Sequence, residues 1–507
     1  WDGHTSEYFR LVFSNQPGIT VTLYTTEESY QPSRELWQAM CDVTGGPLTL
    51  KLTGRDGLEA GGPKRVAPDH VVKGANASLE GIVYYWQILA EQQNGTIVQI
   101  DSAAPVPSTA PVFPDDAPDD GPSTLPGAQG QTTCRGCHAL SLDGSKLAYT
   151  YNGSDVVPNG MAGAKGLLAI SWAEEPIPEL VPPQPDYGAQ AVVFDPTGTR
   201  IVVANLYGMW LGRLDETLPQ GFEKVTDIAH VDDMAGVFRA ETPAWSPDGS
   251  TLMYARRAIV DNVPQGAALV TTQWDLETEQ FVEGAVMFLD VDAVENRPWH
   301  DYPTWSPDSK WVVARASGSD LGVGQTPQDA VDFGFTLLDA ETGAHRPLAS
   351  GAPAGHVYGR PSFSPFTEGG YFWLAFYADR PYGNVKPEGV KQIWVMAIDA
   401  DPTDGVDPSH PSFWLPGQSV DGINLSAYWA RPTCVVEADT CGEDGECCVG
   451  LACVVDPDTG AGTCQPSECD LPGQFCDLKE ATCCPGYSCQ VSLSGVASCQ
   501  QIVEGEE

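Results

Sequence analysis

The spacing of apolar residues along this chain is that of β-strands. In the first hundred residues, runs such as Val83-Tyr-Tyr-Trp-Gln-Ile88 alternate in the manner of a strand with one face buried. The pattern predicts strands over Phe9–Ser14, Thr20–Thr26, Leu48–Gly54, Gly81–Glu91 and Gly95–Asp101, with a short helical insert at Ser33–Cys41 capped by Ser33. From residue 139 one phrase recurs: Ala139–Gly144, Val193–Gly198, Ala244–Gly249, Thr304–Ser309 and Ser362–Pro365. Its consensus is an apolar or aromatic residue followed by S-P-D-G, which reads as a strand running into a tight turn. A second apolar strand follows each time, at Leu147–Tyr151, Ile201–Asn205, Leu252–Ala255, Trp311–Ala314 and Phe372–Tyr377.

The repeats decide the fold class. They are spaced by about fifty to sixty-six residues, the length of one four-stranded blade with long loops. They resemble the TolB-like, WD-type β-propeller repeat over about residues 138–430. The resemblance implies an all-β chain with a six-bladed propeller, five to seven blades being compatible with the spacing. Asn424-Leu-Ser-Ala-Tyr-Trp429 would supply a sixth inner strand. That blade is weak in sequence, so its outer strands are expected from elsewhere in the chain. Residues 1–102 resemble an immunoglobulin or fibronectin type III β-sandwich. Residues 103–131 carry seven prolines between repelling aspartates and read as an extended linker without packed elements. The propeller is expected over 132–432.

The cysteines divide the rest. Of fifteen, twelve lie in the tail. They are Cys434, Cys441, Cys447, Cys448, Cys453 and Cys464 in a module over 433–466, and Cys469, Cys476, Cys483, Cys484, Cys489 and Cys499 in a second over 467–507. So short a segment buries too little apolar surface to fold on a core alone, and so dense a cluster points to an oxidising compartment. Spacing does not fix connectivity. Both modules resemble the knottin framework, which would imply Cys434–Cys448, Cys441–Cys453 and Cys447–Cys464, then Cys469–Cys484, Cys476–Cys489 and Cys483–Cys499.

Net charge is −42, from 68 acidic against 26 basic residues, which argues against nucleic acid or an anionic membrane as partner. No apolar run is long enough to span a bilayer. The first residue is Trp1 rather than Met, which reads as a processed, exported chain. The expected location is secreted and bacterial, at the cell surface, outside the cell or in the periplasm. Four sequons, at Asn76, Asn94, Asn152 and Asn424, are a weak signal.

One motif carries chemistry. Cys134-Arg-Gly-Cys137-His138 matches the c-type haem attachment signature. Two thiols at this spacing add across the vinyl groups of one porphyrin, and the adjacent imidazole becomes the proximal iron ligand. A thioredoxin-type disulfide would want a βαβ context, and a zinc site a second ligand pair nearby; the sequence shows neither. Twelve tail cysteines pair among themselves, haem takes two, and Cys41 is left as a small buried hydrophobe. One covalent haem c is the expected cofactor.

By alignment of the repeats, His138 falls where Val192, Pro243, Pro303 and Pro361 fall, at the opening of the first inner strand. The haem is therefore expected near the mouth of the channel. For the second axial position His300, before the fourth blade, is favoured, then His356 before the fifth, with His230 and Met234 before the third as outsiders. Each of them is also readable as an ordinary loop residue. Asp290, Asp292 and Glu295, or Asp232 and Asp233, carry the oxygens Ca²⁺ takes, though a solvated acidic loop is the simpler reading. The S-x-D-G turns resemble sialidase Asp boxes but read first as structural turns. No G-x-S-x-G and no H-E-x-x-H occurs.

Three functions fit. The first is a monohaem electron-transfer cytochrome working with a redox partner protein or by self-assembly. The second is a peroxidase-like enzyme with Arg360 or His356 as distal acid–base group. The third is a surface scaffold or adhesion protein with structural haem or none.

Overall fold

The computed structural model describes residues 6–112, 135–151, 167–180, 191–317 and 333–430 apart from shorter stretches within them, together with residues 440–441, 451–455, 462–466, 487–491 and 497–501. Cys41, Cys134, Asp232, Asp233, Met234, Asp292, Glu295, Asn76, Asn94, Asn152 and the tail cysteines other than Cys441, Cys453, Cys464, Cys489 and Cys499 lie outside the described residues. The chain divides into two compact units, Trp1–Leu142 with Lys146–Ala430, and Asp143–Ser145 with Arg431–Glu507.

In the larger unit, antiparallel groups of four strands, five in the third, succeed one another. The first comprises Arg135–Leu140, Lys146–Tyr151, Leu167–Trp172 and Glu175–Leu180; the second Ala191–Phe194, Arg200–Asn205, Gly208–Leu214 and Phe222–His230. The third runs Val237–Trp245, Thr251–Val260 and Val263–Asp275, with Gln280–Phe281 and Val286–Leu289 both on its third strand. The fourth is Trp299–Trp305, Trp311–Ser317, Phe333–Asp339 and His345–Pro347, and the fifth Tyr358–Glu368, Tyr371–Ala378, Gln392–Asp399 and Phe413–Trp414. The sixth is headed by Gly422–Ala430 and completed by Ile82–Leu89, Thr96–Asp101 and Ala110–Pro111. The first strand of each group lies against the first strand of the next, and Gly422–Ala430 lies against Arg135–Leu140. The ring closes, and the fold is a β-propeller.

The repeated phrase builds the turn between first and second strands. Ser246 Oγ accepts the Thr251 N–H at 2.9 Å and donates to Asp248 Oδ1 at 2.6 Å. Ser306 accepts the Trp311 N–H at 2.9 Å in the same way, and in the second blade Asp195 takes the serine's place and accepts the Arg200 N–H at 2.7 Å. The turn needs a left-handed residue, and Gly144, Gly198 and Gly249 supply it at φ 72°, 65° and 77°. In the fourth blade Ser309 adopts φ 59° instead, and its hydroxyl accepts the Asp248 N–H at 3.0 Å, tying one turn to the next.

Two expectations about the N-terminal region are corrected. Among the described residues, 1–102 do not form a two-sheet sandwich. Tyr8–Ser14, Thr20–Thr25, Leu48–Arg55, Lys64–Val66 and His70–Val72 make one sheet, packed with Met40 over a core of Phe9, Leu11, Phe13 and Leu48. Leu36, Trp37, Ala39 and Met40 are helical, with the Leu36 N–H donating to Ser33 Oγ at 3.3 Å, as a cap requires. The strands Ile82–Leu89 and Thr96–Asp101 leave this sheet for the last blade. The reason is burial on both faces. Val83 and Tyr85 pack with Trp373, Ile393 and Trp429 on one side, while Tyr84 and Ile97 pack with Leu147 and Tyr149 on the other. A strand covered on both faces belongs between two blades, not at the surface of a sandwich.

The proposed linker is shortened at its start for the same reason. Ala110–Pro111 pairs with Val98 and Gln99 as the outermost strand of the closing blade. Thr109 donates its N–H and its hydroxyl to the Gly417 carbonyl at 3.2 and 2.8 Å. Gly417 sits at φ 90°, where a Cβ would stand 2.5 Å from the Pro107 carbonyl oxygen, so only glycine allows the approach.

A buried amide network joins the fifth and closing blades. Asn424, fully buried, accepts from Gln87 Nε2 at 3.2 Å and donates to Gln418 Oε1 at 2.9 Å. Gln392 Nε2 donates to the Gly422 carbonyl at 2.6 Å. The sequon at Asn424 is therefore an interior amide and not an accessible glycan acceptor.

In the smaller unit, Leu451–Val455 pairs with Gly462–Pro466 and Tyr487–Val491 with Ala497–Gln501, both antiparallel. Cys453 stands opposite Cys464, and Cys489 opposite Cys499.

Closure by residues 82–111 makes a direct prediction. A chain beginning at Leu79 is expected to keep the cooperative unfolding transition of the propeller, whereas one beginning after Val112 is expected to lose it. Circular dichroism during urea unfolding reads the difference.

Candidate functional site

Five of the first strands break register at the same place. Two residues bulge opposite one at Cys137–His138, Thr242–Pro243, Tyr302–Pro303, Arg360–Pro361 and Ser426–Ala427. The strand Ala191–Phe194 pairs without a shift. A bulge leaves one residue out of the ladder, which is why proline, lacking an N–H, is tolerated at the second position. Thr242, Tyr302, Arg360 and Ser426, each first in its bulge, adopt φ 48°, 50°, 45° and 56°. Side chains other than glycine at such angles are strained, and strain of this kind concentrates at functional sites.

His138 takes the place that proline holds in three other blades, in agreement with the alignment of the repeats. It is 1 % exposed, and its hydrogen-bonding neighbour is the Tyr84 backbone. The Tyr428 ring meets the imidazole edge-on at 5.1 Å between centroids. Burial pushes the imidazole pKa down to about 3, helped by the positive charge of Arg360. His138 is thus a neutral imidazole over the whole physiological range. Cys137 lies on the same strand one residue before it.

His300 lies on the fourth blade's first strand, opposite Ala316. It too is fully buried, with both nitrogens unpartnered, and burial lowers its pKa to about 4 although Asp301 opposes the shift. The structure puts His138 and His300 three blades apart in a ring of six, in different electrostatic surroundings. Arg360 bears on the first; Asp301, His345 and Asp290 bear on the second. His356 is half-buried, with Nδ1 3.8 Å from Asp379 Oδ1, and burial lowers its pKa. His230 ends the strand Phe222–His230, and Asp290 is exposed. Among the described residues no three His, Cys, Asp or Glu side chains are gathered in a way that could hold a metal ion.

Sequence reasoning missed the charged wall next to this site. Arg315 Nε donates to Asp301 Oδ1 at 2.6 Å and its Nη2 donates to Asp301 Oδ2, in a pair about 3 % exposed on each side. Burial opposes the Arg315 charge, but Asp301 outweighs it and holds the guanidinium pKa above its ordinary value. The Tyr302 ring receives two guanidiniums, Arg315 at 5.0 Å and Arg360 at 5.3 Å. Tyr377 lies within the fields of both arginines, and burial raises its pKa. The available signal is the X-Pro dipeptide two residues before the aromatic in three of the five phrases, at Pro243, Pro303 and Pro361, which marks the bulge.

No family model and no curated protein matches the chain. Solved structures do. A chain of a nidogen/laminin complex matches at 10 % identity and TM-score 0.39, covering 69 % of this chain and 100 % of its own. A Lactobacillus plantarum protein matches at 12 % and 0.35, covering 83 % and 96 %. The β-propeller domain of the trilobed protease from Pyrococcus furiosus matches at 9 % and 0.32, covering 66 % and 83 %. These are likenesses of fold.

Because Arg315 is buried against the Asp301 carboxylate, Asp301→Asn is expected to cost about 3–5 kcal/mol in urea unfolding. The double change Asp301→Leu with Arg315→Met is expected to recover most of it, since it leaves no uncompensated charge.

Proposed function

We propose that this chain is a secreted single-haem c-type cytochrome that uses the propeller as scaffold and transfers electrons to a partner protein. The observation that carries this is His138, which combines the attachment motif with a buried, neutral imidazole. With the Tyr84 backbone serving one ring nitrogen, the other, buried, costs free energy unless something satisfies it. Iron at one ring nitrogen would do so, and the donor set fits the group. Cys134 and Cys137 would hold the porphyrin through thioether bonds and His138 would ligate its iron. Haem so bound supplies reversible storage of one electron.

The chain's own residues do the rest. The bulge at Cys137–His138 re-aims the motif off the ladder, Tyr428 fixes the plane of the imidazole, and burial keeps protons from competing for its lone pair. His300 is also neutral and unpartnered but stands three blades from His138, so it is not assigned to the same iron, and His356 already faces Asp379. The cysteine-rich tail and the net charge of −42 suit a protein that works outside the cytoplasm.

Spectroelectrochemical titration of protein from a cytochrome-maturing host tests this. A single reversible one-electron transition is expected, with neither cyanide binding nor peroxide turnover. A protein without a reducible chromophore would support a scaffold instead, and one that binds cyanide and consumes peroxide would support an enzyme.

A further inference from the structure

The third and fourth blades enclose a space that is filled between the second and third. The third blade presents Trp245, Trp274 and Phe281 to the second, with ring centroids between 4.8 and 5.8 Å apart. The fourth blade presents Trp305 to the third in the same way, but it has Ala340 where the third has Trp274. The backbone fixes this correspondence. The Trp274 N–H donates to the Ser250 carbonyl at 2.7 Å, and the Ala340 N–H donates to the Lys310 carbonyl at 2.8 Å. Ser250 and Lys310 each stand one residue before the second strand of their blade. The missing indole leaves a cavity of about 350 Å³, within the size range of small-ligand sites. Apolar contact resumes deeper between the blades, where Met253 and Leu269 join Val312 and Leu338.

The lining is polar as well as aromatic. Thr251, Thr271 and Gln273 stand on the face of the third blade that carries Met253 and Leu269. Thr271 is 8 % exposed, yet its hydroxyl has no hydrogen-bond partner among the described residues. Gln273 accepts from the Thr251 hydroxyl at 3.2 Å through Oε1, which leaves its amide N–H groups for a ligand. Phe288 and Trp305 add ring surface, and the exposed Lys310 and Glu341 stand at the rim. Donors and acceptors mixed around aromatic rings match a sugar. Each of its hydroxyls both gives and takes a hydrogen bond, and its C–H face packs on a ring. Asp248, Asp339 and Glu341 repel an anionic sugar, and Lys310 repels the ammonium of an amino sugar. We propose that the cavity between the third and fourth blades binds a neutral sugar unit of a glycan. This site does not depend on the cytochrome reading.

The test is saturation-transfer NMR on the full chain with the methyl glycosides of glucose, galactose, mannose, xylose and N-acetylglucosamine. Methyl galacturonide and methyl glucosaminide serve as charged counterparts. Transfer to at least one of the five neutral glycosides is expected, and to neither charged one. Ala340→Trp, which copies the third blade, is expected to abolish transfer without lowering the urea midpoint. Thr271→Val and Gln273→Leu are each expected to weaken binding by roughly fivefold. Asp401→Asn, which removes an exposed charge from the fifth blade, is expected to leave binding unchanged. Should Ala340→Trp fail to fold, Gln273→Leu decides, because that position is exposed. Absence of transfer to all five neutral glycosides overturns the proposal. Undiminished transfer in folded Ala340→Trp or in Gln273→Leu overturns it too, as does an equal loss in Asp401→Asn. Equal transfer to methyl galacturonide overturns the assignment to neutral sugars.

Discussion

A propeller is only as stable as its last joint, and here the joint is the antiparallel pairing of Gly422–Ala430 with Ile82–Leu89. Without it the first and fifth blades would each expose an apolar face: Leu147 and Tyr149 on one, Trp373, Ile393 and Val395 on the other. Burying both with a single blade drawn from the two ends of the ring gives the fold its cooperativity. The joint is specific as well as apolar. Asn424, Gln87, Gln392 and Gln418 satisfy one another in the interior, and a slip of one residue would leave buried amides unpaired.

A closed ring of near-identical strands turns small local irregularities into a common site. Each bulge alone displaces one residue from one ladder. Repeated at one register in five blades, bulges assemble Cys137, Thr242, Tyr302, Arg360 and Ser426 at a shared level, with His138 beside the first of them. The charged residues there are arranged so that burial is tolerable: Asp301 and Arg315 neutralise each other, and the two arginines stack on Tyr302. The imidazoles of His138 and His300 instead meet no carboxylate at hydrogen-bond distance among the described residues, which sets them apart from His410, whose Nε2 lies 2.7 Å from Asp399 Oδ1.

What could be read from the sequence follows how far each signal reaches along the chain. The S-P-D-G turns and the strands on either side are local, and they stand where the pattern put them. The position of His138 was legible because a repeat lets one blade be counted against another. The partner of Ile82–Leu89 was not, since it lies 337 residues away at the Gln87–Asn424 bond and an alternating strand carries no address. For that reason the sequence pattern points residues 82–101 to a sandwich, and Ala110–Pro111 to a linker. The Asp301–Arg315 pair was equally hidden, because Asp301 and Arg315 look like ordinary surface charges until the fold buries them. The prolines at 243, 303 and 361 did mark the bulges, but only the ladder shows what a proline at that offset does.

The account turns on an iron porphyrin held at the head of the first blade, and the most direct measurement is a pyridine haemochrome spectrum combined with mass analysis of the peptide containing Cys134–His138. One haem per chain, bound through both cysteines of that peptide and resistant to acid–acetone extraction, is the predicted result. A peptide of unmodified mass, from colourless protein made in a host that matures c-type cytochromes, would contradict it.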